Sequence, residues 1–125
     1  MAFVIFGIGV DAVDIERFRR SLQRTPSMRE RLFTEHELAY VAPKIDPVPS
    51  LAAGFASREA VMKAMGLGLG AFGFHDVWVD HRESGEPHLN VTGRAAELAH
   101  ERGIETWHLS ITHTDQVAIA YVVAS

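Results

Sequence analysis

Three prolines on one side and four glycines on the other isolate the most helix-like stretch of this sequence, Leu51 to Met65. Pro43, Pro47 and Pro49 each remove a backbone donor and push the preceding residue toward extended geometry, which predicts a loop before the helix. Ser50 stands where a cap is needed. Gly66 fits a C-cap, and Gly68, Gly70 and Gly73 supply turn conformations beyond it.

The remaining elements are short. Phe3 to Val10 is a nearly continuous apolar run that contains Gly7 and Gly9 and meets Asp11, a pattern that predicts a buried strand. Asp14 can cap Ile15 to Arg24, where Ile15, Phe18 and Leu22 recur at helical spacing and arginines fill the other face. Thr34 and Glu37 form a capping-box pattern that opens a short helix through Leu38 and Val41. After the glycines come strands from Phe74 to Asp80 and Leu89 to Val91, around a turn at Ser84-Gly85-Glu86-Pro87. Thr92 is placed to cap a helix to about Arg102, with Gly103 as its stop. Thr106 to Thr112 and Val117 to Val123 form a last pair of strands, joined by His113-Thr114-Asp115-Gln116. This order predicts an α+β fold, one domain over residues 1–125, with an antiparallel sheet carrying helices on one side. No repeat and no long linker interrupts it.

Composition excludes several function classes. A chain of 125 residues builds one modest core, and without cysteine it has neither disulfides nor a thiolate zinc site. A formal charge of −4 leaves no basic excess for nucleic acid. The N-terminal apolar stretch meets Asp11 too soon for a membrane or signal helix. The expectation is a soluble, cytoplasmic protein that binds neither membrane nor nucleic acid. The basic residues are unevenly placed, however: Arg17, Arg19, Arg20, Arg24, Arg29 and Arg31 fall within fifteen residues.

On residue type alone, the chemistry stays open. Asp11 beside an apolar strand is either a cation ligand or a solvated acid or cap. Glu59 and Lys63, at i, i+4 beside Arg58, read on spacing alone more readily as an ordinary surface ion pair than as a functional one. The glycine loop follows a helix and lacks the Gly-Lys-Ser/Thr of a phosphate-binding loop. Ser110, His113 and Asp115 are too close in sequence for a catalytic triad, and no histidine pair has zinc-site spacing.

Taken in order, three segments resemble the stand-alone holo-acyl-carrier-protein synthases of the 4′-phosphopantetheinyl transferase superfamily. Gly7-Ile8-Gly9-Val10-Asp11 with Ile15-Glu16-Arg17 is similar to the opening G-I-G-x-D and I-x-R. Phe55-Ala56-Ser57-Arg58-Glu59-Ala60-Val61-Met62-Lys63-Ala64-Met65-Gly66 resembles F-A-A-K-E-A-x-x-K-A-x-G. His108-Leu109-Ser110-Ile111-Thr112-His113-Thr114 resembles the closing H-V-S-[IL]-[ST]-H-[ST]. Phe74-His75-Asp76-Val77 and Gly85-Glu86-Pro87 fall where the family has F-x-D-I and G-x-P. The resemblance implies transfer of phosphopantetheine from coenzyme A to a serine of an acyl carrier protein, with 3′,5′-ADP released.

It further implies Mg2+ held by Asp11 and Glu59, and coenzyme A met by Arg58, Lys63, Gly66 and, from a neighbouring subunit of a homotrimer, His113. Glu59 and Lys63 would serve catalysis, with the general base open between Glu59 and a metal-bound water. Arg17 would meet the acidic carrier protein, and Arg20 and Arg24 share its helix face at i+3 and i+7. Two positions depart from the pattern. Arg58 stands where the family has lysine, and Gly54 where it commonly has arginine. Those departures favour an alternative: a divergent paralogue that keeps the fold and binds carrier protein or nucleotide without efficient transfer.

Overall fold

The computed structural model describes residues 4–125, so Phe3, the expected start of the first strand, lies outside the described residues. Strand β1 (Gly7–Asp14) runs through Asp11 rather than stopping at it. It pairs antiparallel with β5 (Val117–Ala124), which pairs antiparallel with β4 (Trp107–His113), giving the order β1-β5-β4. Period-two alternation divides β1 between two environments. Gly7, Gly9 and Asp11 face the helix α4 (Val48–Ala64), whereas Ile8 and Val10 face outward and are 52% and 48% exposed. The apolar run is therefore not a buried strand. One face of its sheet is covered, and the other is open.

Helix α4 begins three residues earlier than the prolines suggested. Pro47 is its N-cap and Pro49 sits in its first turn, where a missing N–H costs nothing, so Ser50 lies inside the helix and caps nothing. Apolar residues cover every side of α4, as expected of a central helix. Gly66 ends it with φ +69°, and the Leu67 N–H closes back onto the Met62 carbonyl at 2.8 Å.

Asp14 caps α1 (Ile15–Arg24), accepting the Arg17 N–H at 2.8 Å, and buries Ile15 and Phe18 beneath it. A short helix α2 (Met28–Leu32), unannounced by the sequence, precedes α3 (Glu35–Val41), whose Thr34–Glu37 capping box forms as read. Phe74–Asp76 is a 3₁₀ turn, so strand β2 starts only at Val77 and ends at His81. Its partner is β3 (Pro87–Val91), and the two form a separate hairpin beside β4 instead of extending the main sheet. Thr92 occupies the N-cap position of α5 (Gly93–Glu101), but its hydroxyl donates to the Asp76 carbonyl at 2.9 Å and leaves the helix uncapped by side chain.

Two hydrophobic clusters meet along α4. One joins α4 to the sheet, the hairpin and α5; the other joins its first half to α1, α2 and α3. Among the described residues no helix is long and apolar enough to cross a membrane.

The contact of α4 with β1 is made backbone to backbone. A Cβ on Gly9 would lie 1.8 Å from the Ala60 carbonyl oxygen, and one on Gly7 equally close to that of Ala64. Neither oxygen can move without shifting the helix. Gly9→Ala should therefore cost at least about 3 kcal/mol, seen as a lower urea midpoint with an unchanged m-value. An unaltered midpoint would contradict the packing described.

Candidate active site

Asp11 reaches the site because the glycines before it bring β1 against α4. Its side chain is only 17% exposed and accepts from Lys63 Nζ at 3.1 Å, while the same ammonium donates to the Val10 carbonyl at 3.0 Å. Glu59 stands one turn before Lys63 on α4 and is half-buried. Asp11 and Glu59 line one open groove of about 490 Å³, walled by Val13, Phe18, Met28 and Phe55. Burial, then the negative charge of Asp11, push the Glu59 carboxyl above its ordinary range, and Lys63 only partly offsets them.

A half-buried carboxylate whose ionisation is opposed by a second one suits a hard cation. Among the described residues no cluster of three or more His, Cys, Asp or Glu side chains is assembled to hold a metal. The pair therefore fits an ion that takes one or two carboxylates and completes its shell with water and phosphate oxygens, as Mg2+ does.

Arg17 lies on the rim of the same groove. Of the α1 arginines, Arg19 is tied up by Glu16 at 3.1 Å and Asp46 at 2.8 Å, whereas Arg17, Arg20 and Arg24 are exposed and make no ion pair among the described residues. Arg20 and Arg24 continue the basic face away from the groove.

His113 goes elsewhere. With Gly54, Glu37, Tyr40, His81 and Pro87 it lines a second cavity of about 240 Å³, which contains neither Asp11 nor Glu59. One chain thus holds the carboxylates and His113 in separate recesses. Gly66 lies past the end of α4 and lines neither cavity; its positive φ is what the helix end requires.

Arg58, expected at the cofactor, is turned into the protein in this chain. It is 0% exposed, and its guanidinium is engaged with Glu37 of α3, itself 6% exposed. Nη1 donates to Glu37 Oε2 at 2.9 Å, Nη2 donates to Oε1, and Arg58 lines neither cavity. Sequence reasoning missed this partner. The capping-box pattern identified Glu37, but only as a local cap; nothing in the spacing told that its carboxylate also faces inward.

In the metal-free protein, Glu59 should titrate above the ordinary carboxylate range by carbon-detected NMR. Because its folded pKa exceeds the unfolded one, its ionisation opposes folding as pH rises through that value, and protonation relieves the cost. Asp11→Asn should lower the Glu59 value only partway, since burial is the larger cause, and Lys63→Met should raise it further. An ordinary Glu59 titration would contradict this arrangement.

The family model of the 4′-phosphopantetheinyl transferase superfamily matches residues 7–122. A holo-[acyl-carrier-protein] synthase of Kocuria rhizophila is 49% identical over 121 residues, covering 97% of this chain and 93% of its own. The crystal structure of that synthase from Neisseria meningitidis superposes with a TM-score of 0.88 at 31% identity, over 98% of this chain and 99% of the other. The Bacillus anthracis synthase, solved in complex with CoA (3′,5′-ADP), gives 0.80 at 30% identity over 96% of each chain. With its motifs in order and its length matched nearly throughout, the chain belongs to the 4′-phosphopantetheinyl transferase superfamily, among relatives named holo-[acyl-carrier-protein] synthase.

Proposed function

We propose that this chain transfers 4′-phosphopantetheine from coenzyme A to a serine of an apo acyl carrier protein, as a magnesium-dependent homotrimer. The observation that carries the reading is the single groove in which Asp11 and Glu59 lie beside Arg17. An anionic cofactor site and a cationic docking face adjoin there. Relatives close to half identical bear the corresponding name.

In the transfer, the serine oxygen bonds to the β-phosphorus of coenzyme A. The bond from that phosphorus to the oxygen bridging the diphosphate breaks, and 3′,5′-ADP leaves with the bridging oxygen. Asp11 and Glu59 would hold the magnesium; bound there, the cation supplies charge neutralisation to the diphosphate. Lys63, anchored by Asp11 yet half exposed, adds a point charge for a phosphate oxygen. Arg17 orients the acidic carrier protein so that its serine enters the groove. The serine proton passes to Glu59 or to a water of the cation's shell, the two candidates that border the groove.

The separation of the recesses is what supports the homotrimer in this reading. In the trimer His113 would serve the coenzyme A of a neighbouring copy, a role that its place in a different cavity from the carboxylates leaves open to it. The open sheet face supports this reading: Ile8, Val10 and Tyr121 lie there as an exposed apolar row, across the strand pair β1–β5.

Incubation with apo carrier protein, coenzyme A and magnesium should raise the carrier's intact mass by one phosphopantetheine. No mass gain, with carrier protein or nucleotide still bound, would favour the non-transferring relative that Gly54 and Arg58 first suggested. Asp11→Ala and Glu59→Ala should each lower kcat by about a hundred-fold or more while the fold persists. Magnesium should raise the thermal midpoint of the wild type but not of Asp11→Ala.

Light scattering at micromolar concentration should give three chains per particle, and His113→Ala should weaken coenzyme A binding more than assembly. A fully active monomer would exclude the shared site. Arg17→Glu should raise KM for carrier protein several-fold and reduce its salt dependence, with KM for coenzyme A unchanged. Carrier kinetics untouched by the reversal would place the docking surface elsewhere.

A further inference from the structure

The Glu37–Arg58 pair is the most buried charged contact among the described residues, and the chemistry above makes no use of it. Its connections are extensive. Besides both Glu37 oxygens, Arg58 reaches the Gly54 carbonyl through Nη1 at 3.0 Å and the Phe74 carbonyl through Nε at 2.8 Å. Glu37 Oε1 also accepts from the Thr34 N–H at 2.9 Å and its hydroxyl at 3.2 Å; Oε2 accepts from the Val79 N–H at 3.2 Å. One ion pair thereby joins the start of α3, the middle of α4, the 3₁₀ turn at Phe74 and strand β2. The guanidinium lies over Phe33, 5.1 Å from the ring centroid.

Stability alone does not account for such a pair. Desolvating two charges is expensive, and well-packed apolar residues of similar volume generally hold a fold as well or better. What apolar side chains lack is a preferred rotation. A planar fork with two carboxylate oxygens ahead, one carbonyl beside it and another behind has a single way to sit.

That direction matters because of where α4 leads. Glu59 follows Arg58 immediately, and Lys63 lies one turn further on. Phe74, held by Arg58 Nε, packs against Phe55 at 6.4 Å between centroids, and Phe55 walls the Asp11–Glu59 groove. Glu37 and Gly54, at the other end of the pair, wall the His113 cavity. The pair thus touches the walls of both recesses.

We propose that Glu37 and Arg58 are positioning residues for phosphopantetheine transfer: the fork fixes the rotation of α4 and so the direction in which Glu59 meets Asp11. The inference rests on the transfer reading given above. It concerns alignment of the reacting groups, so its signature is a fall in kcat without a matching rise in KM for carrier protein.

The test compares wild type, Glu37→Gln, the double variant Glu37→Met/Arg58→Met and Arg58→Lys, by thermal midpoint and steady-state transfer. Glu37→Gln leaves a buried guanidinium without its counter-charge and should lose both midpoint and activity. The double variant should regain most of the midpoint, yet its kcat should stay about ten- to a hundred-fold below wild type. Arg58→Lys keeps the charge and loses the fork; it should fold, with kcat between the two. The idea is overturned if the folded double variant, or Arg58→Lys where the double variant does not fold, transfers within two-fold of wild type. Failure of Arg58→Lys to fold would likewise overturn it, since the pair would then serve stability alone. A wild type that folds but transfers nothing would remove the transfer reading itself, a result distinct from both.

Discussion

The approach of α4 to β1 is the constraint on which the rest of the site depends. Gly7 lies against the carbonyl of Ala64 and Gly9 against that of Ala60, so two steps of strand match four residues of helix. The geometries allow this: two strand residues rise about 6.8 Å and four helical residues about 6 Å. The elements run in opposite directions and stay in register for about one helical turn, with small residues on both sides. Asp11, the next residue of the same parity, has a side chain, and there the close contact opens into the groove. Glu59 borders that opening, and Lys63 of the same helix pairs with Asp11. The glycines do not bind a substrate in this scheme. They set the depth at which a carboxylate on the sheet meets a carboxylate on the helix.

A second constraint ties α4 to its other neighbours, and it makes sense of two unusual residues together. Arg58 is bulkier than the lysine of the resembling pattern, and Gly54 is smaller than the arginine. A Cβ at Gly54 would lie 3.6 Å from Arg58 Nη1, 3.6 Å from Glu37 Oε2 and 3.3 Å from Phe33 Cε1. The space is already filled by the fork and its partner. A glycine inside a helix costs about 1 kcal/mol relative to alanine, and here that cost accompanies a bare carbonyl that accepts from the guanidinium at 3.0 Å. The two departures thus sit in one contact, with the Arg58 guanidinium against the Gly54 carbonyl.

The legible parts of this molecule were those with local causes. Asp14, the Thr34–Glu37 box and the glycine after Met65 mark helix ends through hydrogen bonds within a few residues, and each appears where the sequence put it. Long-range causes were less readable. An apolar run such as Phe6 to Val10 looks the same whether helix, sheet or another molecule will cover it, and here one side of the strand is bare. Pro47 and Pro49 looked like loop residues because proline breaks helices from within; in the first turn it does not. The alternation that places Asp11 with Gly9 needed a known strand and a known neighbour. The partner of Arg58 was unreadable for a related reason, because the carboxylate it meets lies twenty-one positions earlier.

Alternation also connects assembly to chemistry through one strand. On β1, Gly9 and Asp11 point toward α4, while Ile8, Val10 and Ala12 point to the open face opposite Val123, Tyr121 and Ile119. Any partner seated on that face presses on the backbone that carries Asp11. In the proposed trimer, the surface that recruits a neighbour and the surface that positions the acid are therefore two sides of the same eight residues. A substitution at Val10 can then disturb the groove without touching it, through the peptide whose carbonyl accepts from Lys63.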